Sequence, residues 1–428
     1  MPLHFIPDAL LIDPGAPGDQ TRISLLIRDG QTEASGPAGS LQAPHDATVI
    51  EAPGLCISPG WVDLLSVLQD PGHEQTETLD QLAAAAAAGG FTRVLCHPAT
   101  LPHADRAPVI AALVTRSAAA PVHLMHAGAM TVQMAGKDMA ELLDMLGAGA
   151  AAITDGGRPA AEAGIWIRVL QYLQPSGALL TASPYDASIA PDGQMNEGEQ
   201  AVLMGMRGVP ELAEVLPAVR LLEMLAYAGG RLHLQPFSSP EALLRVQQHA
   251  ARGSCTTGVL IHHLALTDEA LAAFDSVYKA VPPLRSEAQR RRLIGLLREG
   301  AVDVLATGHH AQAPEDKAVE FPYASPGMLA LQTAFSTALE ALIRPGYLSL
   351  QDWVRLISLN PRRILGLKHP ADSPGSQAEW TLFSTEGEWT LRPEMIPSRA
   401  VNSPWLNRSL PGRVIGIFAK GRYTPVQY

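Results

Sequence analysis

From Cys56 onward the chain falls into a rhythm that few folds can accommodate: short apolar runs alternate with amphipathic helical stretches. The runs are Val62 to Leu65, Thr92 to Cys96, Val122 to His126, Ala151 to Ile153, Ala178 to Thr181, Arg231 to Leu234, Gly258 to Ile261 and Val302 to Ala306. Strands buried on both faces and joined by helices are the mark of βα units, and eight of them predict a closed (β/α)8 TIM barrel in an α/β protein. The intervening helices carry their own stops and starts. Thr78 and Gln81 form a capping box before the alanine run Ala83 to Ala88, which ends at Gly89-Gly90. Pro240 to Ala251 reads as a helix, with Ser239 as its N-cap, Pro240 in its first turn and Gly253 as its stop. Further helices are expected near Gly327 to Ile343 and Leu350 to Leu367. Both ends of the chain read as β-rich, with runs such as Ala9 to Ile12 and Ile23 to Ile27 at the start and a segment from Ala378 to the end.

The 428 residues exceed the usual single-domain size, and 47% hydrophobic content supports a sizeable core. Forty-two acidic residues against 31 Lys and Arg give a net charge of −11, which disfavours nonspecific binding to nucleic acid or an anionic membrane. Arg290 to Arg292 is the one run of like charge; behind the capping box of Ser286 and Gln289 it reads as a solvated helix face or a protein contact. Cys56, Cys96 and Cys255 are too few and scattered for a disulfide framework or a Cys-rich zinc site, which fits a reducing cytoplasm. The N-terminal residues lack a basic segment followed by an apolar core, and no stretch keeps 18 apolar residues, so a cytoplasmic chain without a membrane span is expected.

The run Gly60 to Gly72, Gly-Trp-Val-Asp-Leu-Leu-Ser-Val-Leu-Gln-Asp-Pro-Gly, is a buried strand entering a loop. It closely resembles the first barrel strand of the dihydroorotases, in the cyclic amidohydrolase superfamily, where the pattern is Pro-Gly-Phe-Ile-Asp-x-His-x-His-x-Arg-x-Pro-Gly. Four further stretches carry the same resemblance in order: Asn196-Glu-Gly198, Lys279-Ala-Val-Pro-Pro-Leu-Arg285, Ala306-Thr-Gly-His309, and Asn402-Ser-Pro-Trp405 to Val414. The resemblance implies that the two chain ends pair in one small β-sandwich, giving residues 1–52 and 371–428 to the sandwich and 53–370 to the barrel.

The frame matches, but the chemical positions do not. The family's two metal-binding histidines and substrate-binding arginine fall on Leu65, Val67 and Gln69. The histidine after the fifth strand falls on Ser183, that of the sixth strand on Pro236, and the eighth-strand aspartate, ligand and general acid/base, on Gly308. Two substrate-binding asparagines fall on Ala99 and Val281. Asp155 alone looks like a retained acidic ligand. Leu, Val, Pro and Gly side chains have no lone pair for a metal. A metal is what lowers the pKa of bound water from about 15.7 toward about 7 in this chemistry. One carboxylate does not replace it.

Histidines remain near the strand ends: His97, His126, His262, His263, His309 and His310. A new metal site from His97, His126 and Asp155 is the sharp alternative, because these stand on neighbouring strands. The favoured reading is that Asp155 caps or hydrogen-bonds a loop and that Cys96 is a buried apolar residue. The resemblance then implies a pseudoenzyme with no catalytic residues, metal or cofactor. It further implies a non-catalytic subunit that assembles with the catalytic chain of aspartate transcarbamoylase in pyrimidine biosynthesis, with self-association open. The competing reading is an active metal-dependent dihydroorotase that converts N-carbamoyl-L-aspartate to dihydroorotate. A third keeps the cavity as a small-molecule sensor pocket, drier and more apolar than a working site.

Overall fold

The computed structural model describes residues 2–157, 162–370 and 372–428. Eight parallel strands form one sheet in chain order: Trp61–Leu68, Phe91–Pro98, His123–Ala129, Ala152–Thr154, Leu179–Ala182, Arg231–Phe237, Cys255–Leu260 and Val304–Ala306. The sheet closes on itself where the Val67 amide donates to the His309 carbonyl at 2.9 Å. Side chains complete the seam. Asp63, fully buried on the first strand, accepts from the Thr307 amide at 2.7 Å, the Thr307 hydroxyl at 3.0 Å and the Ser66 hydroxyl at 2.7 Å. Burial pushes the Asp63 carboxyl up and these donors oppose it, so the pair of strands is tied by a group that has no water to turn to.

The strands match the expected eight, with ends shifted by no more than three residues. The third runs on to Ala129 because its pairing with the fourth continues through Gly128 opposite Ile153 and Ala129 opposite Thr154. Gly128 makes room inside this strand, since a Cβ would lie 2.9 Å from Met145 Sδ.

Helix Leu79–Ala88 has the expected capping box, and its alanines let it lie close on the barrel, with Ala83, Ala85, Ala86 and Ala87 buried. Helix Pro240–Gln248 is capped by Ser239 and stops before Gly253, in a 3-10 turn over Ala250–Ser254. The helix expected from Gly327 starts only at Ala334. Residues before it form the loop of the eighth strand, held by the Leu329 amide donating to the Asn402 carbonyl. Helix Leu350–Val354 continues through a π turn into Asn360–Ile364.

The two chain ends share a second eight-stranded sheet with a core of its own around Ile6, Leu25, Ile57, Trp380 and Leu382. Strand Leu55–Pro59 joins them, parallel to Leu3–Leu11 and antiparallel to Trp380–Thr390. The chain passes from this sheet into the barrel at Gly60. There Trp61, wholly buried, packs at 5.3 Å against both Trp353 and Phe383 and at 5.4 Å against Phe335, so one indole joins the barrel, the late helices and the terminal sheet.

The Arg290 to Arg292 run is a largely solvated helix face, with Arg291 and Arg292 exposed and only Arg290 drawn inward. Arg290 donates to Glu287 and to the Leu264 carbonyl with its side chain 17% exposed, whereas Arg291 and Arg292 pair with Glu287 and Glu241 nearer the surface. All three cysteines are free and buried, and burial pushes the Cys56 thiol up to about 11. Among the described residues no helix is long and apolar enough to cross a membrane.

Candidate functional site

The C-terminal ends of the strands surround a cavity of about 300 Å³. Leu65 and Val67 reach it from the first strand, Ala99 and Ser183 from the loops after the second and fifth, and Pro236 from the sixth strand. Val281 and Gly308 complete it from the loops after the seventh and eighth strands, and Asp155 faces the same space. Eight of the nine singled-out positions therefore meet at one mouth. Gln69 does not line it: its amide turns away and donates to the Ala311 carbonyl at 2.8 Å.

His97, His262 and His310 also face the cavity, but His126 does not. Its side chain leaves the barrel, and Nε2 lies 2.7 Å from Ser117 Oγ on the helical side. The proposed grouping of His97, His126 and Asp155 around one ion is therefore not formed, because alternate residues of a strand face opposite sides of the sheet.

The remaining donors are already engaged. His97 Nε2 lies 3.2 Å from the Leu64 carbonyl and so carries the proton, which leaves Nδ1 to accept from Thr154 Oγ1 at 3.3 Å. His310 Nε2 accepts from the Gln312 amide at 3.0 Å. Both Asp155 oxygens accept backbone amides, from Gly157 at 2.9 Å and Ser183 at 3.3 Å. Burial lowers His97 and His310 to about 4 and raises the Asp155 carboxyl to about 7. His262 is different: it is 4% exposed and neither ring nitrogen closes a hydrogen bond.

Among the described residues no three His, Cys, Asp or Glu side chains stand where they could hold one metal ion. A zinc site needs three or four donors at about 2.0–2.3 Å. The described side chains at this mouth do not fit a divalent metal.

Beside this cavity lies a polar cluster whose side-chain roles the sequence alone did not reveal. Arg285, 2% exposed, donates to Glu214 at 2.7 Å, Ser238 at 3.0 Å, Asn196 at 2.9 Å and the Val209 carbonyl at 2.9 Å. Glu214, fully buried, also accepts from the Ser238 and Ser239 amides. His309, the other motif residue, donates to the buried Glu77 at 3.1 Å and accepts the Ala330 amide at Nδ1. Asn402 bridges the His310 and Gly327 carbonyls. The signal for Arg285, Asn196, His309 and Asn402 was the motif match; Glu214 had none.

A family profile described as dihydro-orotase-like matches residues 54–242. A protein of Anaeromyxobacter dehalogenans strain 2CP-C named dihydroorotase is 35% identical over 422 residues, covering 98% of this chain and 96% of that one. A protein of Desulforapulum autotrophicum with the same name is 34% identical over 418 residues, covering 97% of each. Among solved structures, the L-hydantoinase (dihydropyrimidinase) of Arthrobacter aurescens superposes with a TM-score of 0.84 at 20% identity, covering 100% of this chain and 96% of that one. The dihydropyrimidinase of Brevibacillus agri superposes at 0.80 with 19% identity, covering 99% and 95%. These two share the fold.

Proposed function

The chain belongs to the dihydroorotase-like family of the amidohydrolase superfamily, and from that premise we propose that it is a non-catalytic member of it. It acts as a structural subunit that assembles with the aspartate transcarbamoylase catalytic chain in de novo pyrimidine biosynthesis. One observation carries the loss of chemistry. At the barrel mouth Leu65, Val67, Pro236 and Gly308 stand in the cavity where a metal cradle needs lone pairs. Of the donors beside them, His97, His310 and Asp155 are engaged by Thr154, Gln312 and backbone amides, which leaves His262 alone. Without a metal the attacking water keeps a pKa near about 15.7, and a lone general base supplies only roughly a hundred- to ten-thousandfold. The partner rests on the family resemblance.

The second reading is an active dihydroorotase. It is favoured by the name its relatives carry and by Asp155, whose carboxyl titrates at about 7. One preparation separates the two. The chain is expressed with and without the host transcarbamoylase, and mass, transcarbamoylase activity, divalent metal content and dihydroorotate turnover are measured. The expected result is a larger and more active transcarbamoylase complex, with neither stoichiometric metal nor dihydroorotate turnover. About one zinc per chain, with turnover abolished in Asp155→Ala, establishes the enzyme. Unchanged transcarbamoylase mass and activity overturns the subunit role.

A further inference from the structure

The barrel mouth has kept a chamber after losing its donors, and its lining describes a guest. The walls are apolar where the family pattern carries ligands, at Leu65, Val67 and Pro236, and Leu260 and Met328 extend that surface. At the floor His262 is 96% buried, and its ring makes no hydrogen bond although the Thr307 carbonyl leans towards it. A neutral imidazole carries one N–H and one lone pair, so at least one is left for whatever enters. A buried polar atom without a partner costs about 1–3 kcal/mol, which a ligand hydrogen bond relieves. Ser183 and Tyr185 line the same space, and neither hydroxyl makes a hydrogen bond to a described residue.

No lysine or arginine is among the described lining residues, and Gln69, at the place of the family's carboxylate-binding arginine, is turned towards Ala311. Among the described lining residues, an anion that has lost its water finds no countercharge. The chamber lies at the small end of ligand pockets, which suits a single ring.

We infer that this cavity binds an uncharged, ring-sized molecule with an amide edge, anchored by His262 and the Ser183 and Tyr185 hydroxyls, and that it rejects the carboxylated form of the same ring. The inference rests on the non-catalytic reading of this mouth and gives it a ligand class.

The test uses the full chain, calorimetry and two probes that differ by one carboxylate: 5,6-dihydrouracil and dihydroorotate. Dihydrouracil is expected to bind saturably and dihydroorotate at least tenfold more weakly. His262→Leu should weaken dihydrouracil at least tenfold. Val67→Phe, which fills the chamber from a strand position whose side chain has free space before it, should abolish binding and serves if His262→Leu does not fold. Equal affinity for the two probes, no saturable binding of dihydrouracil, or binding untouched by Val67→Phe overturns the inference. Chromatography of the same samples separates the two proposals. A ring-opened product would overturn the non-catalytic reading even with binding intact, whereas failed binding with intact rings overturns only the ligand site.

Discussion

Two regions sit side by side at the barrel mouth, an apolar-walled cavity and a polar cluster, and they match the family pattern in opposite ways. In the cavity the positions that would serve a guest hold Leu65, Val67, Pro236 and Gly308. Next to it, Arg285 and Asn196 stand as the pattern has them and are answered inside the protein: Arg285 by Glu214, Ser238, Asn196 and the Val209 carbonyl, and the Asn196 amide by Asp268 and Gln289. The difference teaches what each residue is for. A ligand histidine without its metal is a buried polar group with nothing to bond, costing about 1–3 kcal/mol, so an apolar replacement stabilises the fold. A buried arginine that already holds its carboxylate has no such alternative, because removing either partner strands a charge.

That contrast can be broken most forcefully at Arg285. Arg285→Met leaves the Glu214 carboxylate fully buried with only backbone amides and a hydroxyl, and is expected to cost about 3–5 kcal/mol of unfolding free energy. Urea denaturation measures it. The companion Glu214→Gln in the Arg285→Met background should recover part of that loss, since the stranded charge is gone. Pocket substitutions such as Val67→Ala, at a half-buried position, should cost under about 1 kcal/mol on the same scale. If Arg285→Met unfolds no more easily than Val67→Ala, the cluster is not what holds this end of the barrel.

How much of this was legible in the sequence follows the same division. The eight strands could be read because apolar runs buried on both faces have no other home, and the alanine helix because its capping box is local. That Leu65 and Val67 offer no lone pair was legible, because a side chain's donor atoms do not depend on the fold. Side-chain direction was not legible. His126 and His97 look equivalent at the ends of neighbouring strands, yet one faces Ser117 outside the barrel and the other the cavity. Nor was Glu214 legible, because its partner lies 71 residues away and the ion pair exists only after the mouth has folded.

A smaller effect sharpens the comparison at Gly308. Its φ of +63° lies in the left-handed region, and an added Cβ would lie 2.6 Å from Leu260 Cδ1. For an L residue this backbone costs roughly 1–2 kcal/mol, while the Leu260 side chain can give way because it borders the cavity. Gly308→Ala is therefore expected to lose about 1–2 kcal/mol in urea, and Gly308→Asp to gain no zinc in elemental analysis, since the other positions still lack donors. A zinc-loaded Gly308→Asp chain at unchanged stability would show a cradle one residue short of working.

The last effect is read in pH rather than in urea, and it belongs to Asp155, the cavity's own carboxylate and the counterpart of Glu214 without an arginine. Burial raises it from its ordinary 3.8 to about 7, against the pull of the Gly157 and Ser183 amides. The folded chain thus holds this proton where the unfolded chain releases it. Its contribution to stability is complete below about pH 4 and is lost as pH rises through 7, because the folded state binds more protons across that window. Asp155→Asn keeps one amide acceptor and removes the titration, so its melting temperature should fall less than the parent's between about pH 5 and pH 8. Groups shared by both chains cancel in that difference. Parallel melting curves would mean that water reaches the carboxylate and stabilises its charge. The mouth would then be wetter than its leucine, valine and proline walls imply, and the contrast with the sealed Arg285 cluster would be one of solvent rather than of partners.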